Sequence, residues 1–380
     1  MKGEIHLIME LSRSQLLALE NTTKYARNYT YEAKKTINHI LKMSNISDET
    51  FKNAVDRLKG HARIGLHFHP DRPDSSMKSV AEALLESGKY KSQFETGLSN
   101  GSLSAYPGGE RDLWEKRIFG GAYQLEGTTN NQRPKYGALN LMLHPDGPAP
   151  RFGSCYFLLS PKVSYRSTYT YLDSHQDPKE KGTYEEFDMI LAALLEEAFV
   201  RDFAIGERNL TPVRLVNHLL VNLERPFTDP AIRKPNRNLN HYIEAQIHGD
   251  ISLKEDVDML VADPSFKKTH VGKILGQLCL KYSIQLYWHK GFALKIEEVP
   301  QDFRGPSMPS LAKRIGQNNV IDTSIIGNAV MDLIRNPAFW SKCGDVKVVL
   351  QELKLLWHVL VRFGKPLDEI CLLSNSTERS

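Results

Sequence analysis

Apolar positions change their spacing several times along the chain, and each change marks a different element type. Over 11–59 they recur at helical spacing (Leu16, Leu17 and Leu19, then Ile37, Ile40 and Leu41), and Ser47-Asp48-Glu49 opens a last helix through Leu58. From about 61 to 175 the period shortens and glycine, proline and aromatic residues accumulate. This pattern predicts short strands over 62–69, 101–105, 136–143, 154–160 and 168–172 in a compact, mostly β core. Helical spacing returns over 183–201, where Thr183-Tyr184-Glu185-Glu186 reads as a capping box and Phe187, Ile190, Leu191, Leu194 and Leu195 form one face. A second helix is predicted over 213–223. A polar approach at 236–240 leads to a short strand around Glu244, followed by a helix over 256–282. Residues 284–289 and 292–296 read as a hairpin about Lys290-Gly291. The segment 305–310, with two prolines and a glycine, reads as a linker, and the chain beyond it is helical, notably 346–361.

Composition narrows the classes without choosing among them. A chain of 380 residues with 41% hydrophobic and 25% charged residues is long enough to bury a large core and reads as globular. A net charge of +4 with no basic stripe argues against nucleic acid as a partner. Four cysteines (Cys155, Cys279, Cys343 and Cys371) lie far apart with no C-x-x-C pair, so reduced thiols are expected rather than a zinc site or disulfide framework. No apolar run is long enough to cross a membrane, and the segment from Met1 to Glu10 has too short an apolar core for a secretory signal. The expectation is a soluble protein, cytoplasmic in the cell that makes it or exported into a host cytosol without a recognisable signal peptide.

Two strand ends carry the candidate chemistry. In the first, Ile64, Leu66 and Phe68 alternate with smaller or polar residues, and the strand stops at His69-Pro70-Asp71-Arg72. His67-x-His69-x-Asp71 has the spacing for a shared cation, since i and i+2 on a strand point the same way. No local motif supplies further ligands, so no metal is expected and His67 is read as a hydrogen-bonded core histidine. A metal-dependent hydrolase on His67, His69 and Asp71 stays open as an alternative. In the second, Tyr242, Glu244, Gln246 and His248 share one strand face while Ile243, Ala245 and Ile247 share the other. Such a face presents one carboxylate to a ligand, with Gln246 and Tyr242 holding it, or else faces solvent. The glycine-rich segments around Asn100-Gly101 and Gly120-Gly121 suit close backbone approach to a ligand, but neither has P-loop or dinucleotide-fingerprint context.

Taken together, His61-Ala62-Arg63…His69-Pro70-Asp71-Arg72-Pro73, Ser99-Asn100-Gly101…Gly108-Gly109-Glu110-Arg111-Asp112, Phe119-Gly120-Gly121-Ala122-Tyr123, Arg133-Pro134-Lys135-Tyr136-Gly137, Arg151-Phe152-Gly153, Tyr242–Gly249 and Trp288-His289-Lys290-Gly291-Phe292 resemble one family. It is a bacterial and microbial-eukaryote family once known only as a domain of unknown function. Some of its members are PARP-like, threonine-specific ADP-ribosyltransferases that modify ubiquitin. The resemblance covers about residues 50–306. It implies an α+β, ADP-ribosyltransferase-like split β-sheet around an NAD cleft, with NAD as co-substrate and a protein acceptor, ubiquitin among the candidates. The implied layout is an N-terminal helical region at 1–50, a core in two parts at 51–182 and 236–306, a helical insertion at 183–235 and a helical extension at 307–380. The last two are candidates for target recognition.

By the same resemblance Glu244 is the catalytic glutamate and Asp71 its aspartate partner, with Asp173 a rival for that role. His69, Arg72, Asn100, Gly101, Gly120, Gly121, Tyr136 and Gln246 are implied at the NAD site, with Tyr136 stacking on nicotinamide. Arginine-modifying toxins of this class carry Glu or Gln two residues before the glutamate; Tyr242 stands there, which favours a hydroxyl acceptor. A non-catalytic binding module on the same fold is a further alternative.

Overall fold

A computed structural model describes residues 11–74, 76–97, 105–227 and 234–370. In chain order the main elements begin with helices α1 (Arg13–Met43) and α2 (Asp48–His61), strand β1 (Ile64–Phe68), and helices α3 (Val80–Ser87) and α4 (Glu110–Phe119). Strands β2 (Lys135–Leu139), β3 (Cys155–Leu159), β4 (Ser167–Tyr171) and β5 (Lys181–Thr183) precede helices α5 (Asp188–Arg201) and α6 (Pro212–Asn222). Then come β6 (Ile243–Ile247), β7 (Val257–Ala262), α7 (His270–Tyr282), β8 (Gln285–Trp288) and β9 (Ala293–Lys295). The chain continues through α8 (Met308–Ile315), β10 (Val320–Asp322), α9 (Thr323–Arg335) and α10 (Val346–Phe363).

Local signals set several of these boundaries. Ser12 and Gln15 form a reciprocal capping box at the start of α1, and Ser79 and Glu82 do the same at α3, each satisfying backbone donors that a helix start leaves bare. Strands β1 to β8 form one sheet in the order β8-β7-β3-β1-β2-β6-β4-β5, antiparallel except for β7 with β8. The fold is therefore α+β around a large mixed sheet. Its strands follow one another in an unbroken order where a split sheet was expected, because β1 bonds to both β2 and β3.

Pairing register decides which side chains share a face, since directly opposed residues project to the same side. Gly65, Ala138, Glu244 and Thr170 are linked pair by pair across β1, β2, β6 and β4. The other face carries Ile64, Leu66, Leu139, Ile243 and Ala245 into the main core, covered by apolar faces of α1, α2, α5, α6 and α7. A second core unites α8, α9 and α10 with Leu239, Phe292 and Leu294. The Trp357 indole N–H of α10 donates to the carbonyl of Pro150 at 3.1 Å, fastening that core to the turn before β3.

Four expected features differ. The predicted helix over 256–282 divides into β7 and α7, because the run from Met259 to Ala262 is apolar and buried on both faces, a pattern shared by buried helices and buried strands. The predicted hairpin about Gly291 is absent: β8 pairs in parallel with β7, while β9 pairs with β10. Thr183 ends β5 instead of capping a helix, and α5 starts at Asp188. Residues 308–310 of the expected linker already belong to α8. The strand expected at 101–105 lies almost wholly outside the described residues.

Candidate functional site

Glu244 stands in the middle of β6, 4% exposed, on the face away from the main core. Two neighbours hold its carboxylate. The Gln246 amide donates to Oε1 at 2.9 Å, and the Ser174 hydroxyl donates to the same oxygen. Ser174 reaches it from the turn after β4, where Leu172 takes a left-handed backbone (φ 72°) that folds the chain back over the neighbouring strand. The same turn carries Asp173, which accepts from the Tyr242 hydroxyl at 2.9 Å and lies 3.8 Å from the Arg151 guanidinium. Burial, and then the nearby Asp173 charge, push the Glu244 pKa up to about 8, against the lowering effect of its two donors.

The polar face continues along β6 as one directed network. The Thr168 hydroxyl donates to Gln246 Oε1 at 2.8 Å, which leaves its oxygen to accept from His248 Nε2 at 3.2 Å. His248 Nδ1 then accepts from the Tyr123 hydroxyl. Burial holds His248 neutral, with its pKa down at about 3. On the next strand Tyr136, level with Gln246, donates from its hydroxyl to Glu115 of α4 at 2.9 Å. Glu115 also accepts from Arg133 at 2.8 Å, yet complete burial raises its pKa to about 7. The Trp114 ring lies 5.4 Å from that of Tyr136 and 5.7 Å from that of His175, so an aromatic group adjoins the carboxylates.

Tyr136 and Arg151 also line a cleft of about 740 Å³, within the range of small-molecule sites. One wall is the exit of β1 and α3, with His69, Arg72 and Lys78. The opposite wall is α9 and α10, with Val330, Lys347, Lys354 and Trp357. Lysines and arginines outnumber carboxylates on this lining, where Asp74 and Glu95 are the acids. The cleft is thus a basic trough, and two of its lining residues adjoin the carboxylates: Arg151 lies 3.8 Å from Asp173, and Tyr136 feels the Glu244 charge.

The sequence-derived candidates separate on this geometry. Glu244 and Gln246 are joined directly, and His69, Arg72 and Tyr136 line the cleft. Asp71 is elsewhere. Glu244 is level with Gly65 near the start of β1, whereas Asp71 lies in the turn beyond that strand's end at Phe68. Its carboxylate presses on α9 at Gly327, where no Cβ would fit, and burial lifts its pKa to about 6. The pairing of Asp71 with Glu244 is therefore corrected to Asp173. Gly120 and Gly121 are corrected as well. Both take left-handed backbones (φ 61° and 80°) that terminate α4, with the Gly121 N–H donating to Lys116, and neither lines the cleft. Asn100 and Gly101 lie outside the described residues. His67 has both ring nitrogens engaged, Nδ1 with the Gly153 carbonyl at 2.9 Å and Nε2 with the Ala149 N–H at 3.2 Å, as a core histidine would. Among the described residues no three His, Cys, Asp or Glu side chains converge as a metal site.

Sequence reasoning passed over Ser174, Thr168 and Glu115. Thr168 was legible in principle, since a Thr-x-Thr strand beside a Glu-x-Gln strand pairs polar faces. Ser174 and Glu115 come from a turn and a helix, and no spacing rule reaches across them.

The chain is therefore an α+β protein with a basic cleft and, beside it, a buried, doubly held carboxylate on the polar face of its sheet. The chain is a member of the family described as "Protein of unknown function (DUF3626)", whose profile matches residues 63–363. That match runs from the start of β1 to the end of α10 and takes in both the carboxylate pair and the helices that wall the cleft. No curated protein matches the chain. No helix among the described residues is long and apolar enough to cross a membrane.

Proposed function

We propose that this protein is a mono-ADP-ribosyltransferase that moves ADP-ribose from NAD to a threonine hydroxyl of a protein. The observation that carries the reading is the Glu244–Asp173 pair beside a basic cleft, which Arg151 and Tyr136 of the cleft lining adjoin. Two carboxylates in unlike surroundings suit two roles. Glu244, once ionised, accepts from the ribose 2′-hydroxyl and offsets positive charge as the bond from C1′ to the nicotinamide nitrogen breaks. The nicotinamide leaves with the electrons of that bond. Asp173 accepts the proton of the threonine hydroxyl as its oxygen bonds to C1′, the help a weak nucleophile needs. The basic lining suits the diphosphate, and Tyr136 suits the nicotinamide ring.

Incubation with labelled NAD and a protein panel that includes ubiquitin tests the reading. Label on an acceptor, lost in Glu244→Gln and reduced at least a hundredfold in Asp173→Asn, supports it. Nicotinamide release without protein label points to water as acceptor. Absence of both NAD turnover and NAD binding would sink it.

A further inference from the structure

Six basic side chains lie near one another beside the cleft: His69, Arg72, Arg151 and Lys354 line it, and Arg304 and His358 adjoin them. The His69 ring stands edge-on to the Trp357 indole with centroids 5.1 Å apart. His69 feels the charge of Arg72 and His358, and His358 feels that of Arg304, Arg151 and Lys354. Carboxylates touch only the margins, with Asp173 3.8 Å from Arg151, and Asp71 beside Arg72. Arg151 also donates through Nη1 to Leu239 O and Asn240 Oδ1, and its guanidinium lies over the Phe152 ring, 4.7 Å from the centroid.

The cluster has donors to spare. His358 is 4% exposed and neither ring nitrogen has a partner, and the Nε atoms of Arg151 and Arg304 are buried without acceptors. Buried polar atoms are seldom left unpaired, and such atoms converging from separate elements ask for a common acceptor. Arg304 is held in a left-handed backbone (φ 66°) just before Gly305, a strained setting for an arginine. On α10, Lys347, Gln351, Lys354 and His358 form a polar stripe opposite the apolar Val349, Leu353, Leu356 and Leu360. Burial and the neighbouring arginines lower the Lys354 pKa to about 8 and, with Lys354, that of His358 to about 3. An anion seated here would reverse both effects.

We propose that Arg151, Arg304, Lys354 and His358 form the diphosphate site of the cleft, with Arg72 and His69 closing it from the opposite wall. Arg supplies paired donors that fit phosphate oxygens, and a buried imidazole adds a third direction. That the diphosphate belongs to NAD rests on the reading given above. The anion site itself rests on the unpartnered buried atoms of His358, Arg151 and Arg304.

Calorimetric titration of the full chain with inorganic pyrophosphate, ADP and adenosine decides the matter. Expected are one pyrophosphate per chain, affinity that falls as salt rises, and adenosine binding at least tenfold weaker than ADP. Arg304→Gln and Lys354→Gln should each weaken pyrophosphate and ADP at least tenfold and leave adenosine within twofold. Glu244→Gln should bind pyrophosphate as the wild type does. If Arg304→Gln does not fold, Lys354→Gln at a cleft-facing helix position carries the test. Wild-type protein that takes no pyrophosphate at millimolar concentration overturns the proposal, as do folded variants with unchanged affinity. Variant-sensitive pyrophosphate binding without NAD turnover leaves the site standing and removes the transferase. NAD turnover with variant-insensitive pyrophosphate binding does the reverse.

Discussion

Glu244 in the free protein holds its proton at neutral pH, since its pKa is raised to about 8. Between the ordinary carboxylate range and that value the folded state binds a proton that the unfolded chain has released. Stability must therefore fall as pH rises through this window. Glu244→Gln, neutral at every pH, should melt progressively higher than wild type as the buffer moves from pH ~6 to ~8.5, which a thermal melt at each pH measures. A reaction that needs the ionised form should gain rate over the same interval, and its rising limb should disappear with the residual activity of Glu244→Gln. Ser174→Ala removes a donor from the charged form. It should shift that limb to higher pH and cost about 1 kcal/mol of stability. Of the two aspartates that the resemblance left in competition, Asp173 shares a turn with Ser174 and adjoins Glu244, whereas Asp71 abuts Gly327. Chain spacing carries no information on that choice.

Helix α10 serves two surroundings at once. Its apolar stripe completes the second core, and its polar stripe faces the cleft. Replacing an unpartnered buried imidazole by an apolar group of similar size removes a desolvation penalty. His358→Leu should therefore leave the melting temperature equal or higher while the KM for NAD rises, a split that a purely structural histidine would not show. Helix α9 packs tightly on the turn after β1, since a Cβ at Gly327 would overlap Asp71. Gly327→Ala should cost about 1–3 kcal/mol by overpacking, and Asp71→Ala in the same chain should recover much of it. Denaturant unfolding of the four forms of that cycle measures the recovery.

At the scale of the whole molecule the C-terminal helices are part of the body. Residues beyond 306 hold most of the second core and one wall of the cleft, and Phe292 and Leu294 from before 306 pack into it. A chain truncated at 306 should lose cooperative unfolding and bind a hydrophobic dye, and NAD affinity should go with it. A truncated chain that melts sharply and keeps NAD affinity but no longer labels its acceptor would return these helices to a separate target-binding role, and one that still labels it would remove that role. The family match to 363 runs through the same helices.

Much of the element content was legible because it depends on neighbours within a turn or two of chain. Capping residues, the period-two alternation of β1 and β6, and the long C-terminal helix all follow from local sterics and hydrogen bonding. The polar face of Tyr242, Glu244, Gln246 and His248 was therefore correctly separated from Ile243, Ala245 and Ile247. Apart from the Thr183 capping box, what failed was non-local or doubly buried. The β7 run from Met259 to Ala262 is apolar on both faces and so matched a helix, and the partners of β8 and β9 lie in other parts of the chain. By itself, then, the sequence determined the alternation that aims Glu244 and Gln246 to one side, and the donors and acids available to meet them. Only the tertiary structure decided that Ser174 and Asp173 reach Glu244, that Gly120 and Gly121 end a helix, and that α10 brings Lys354 and His358 opposite Arg72. Those outcomes depend on strand order and register, which are settled by burying whole faces against one another and not by any short stretch of chain.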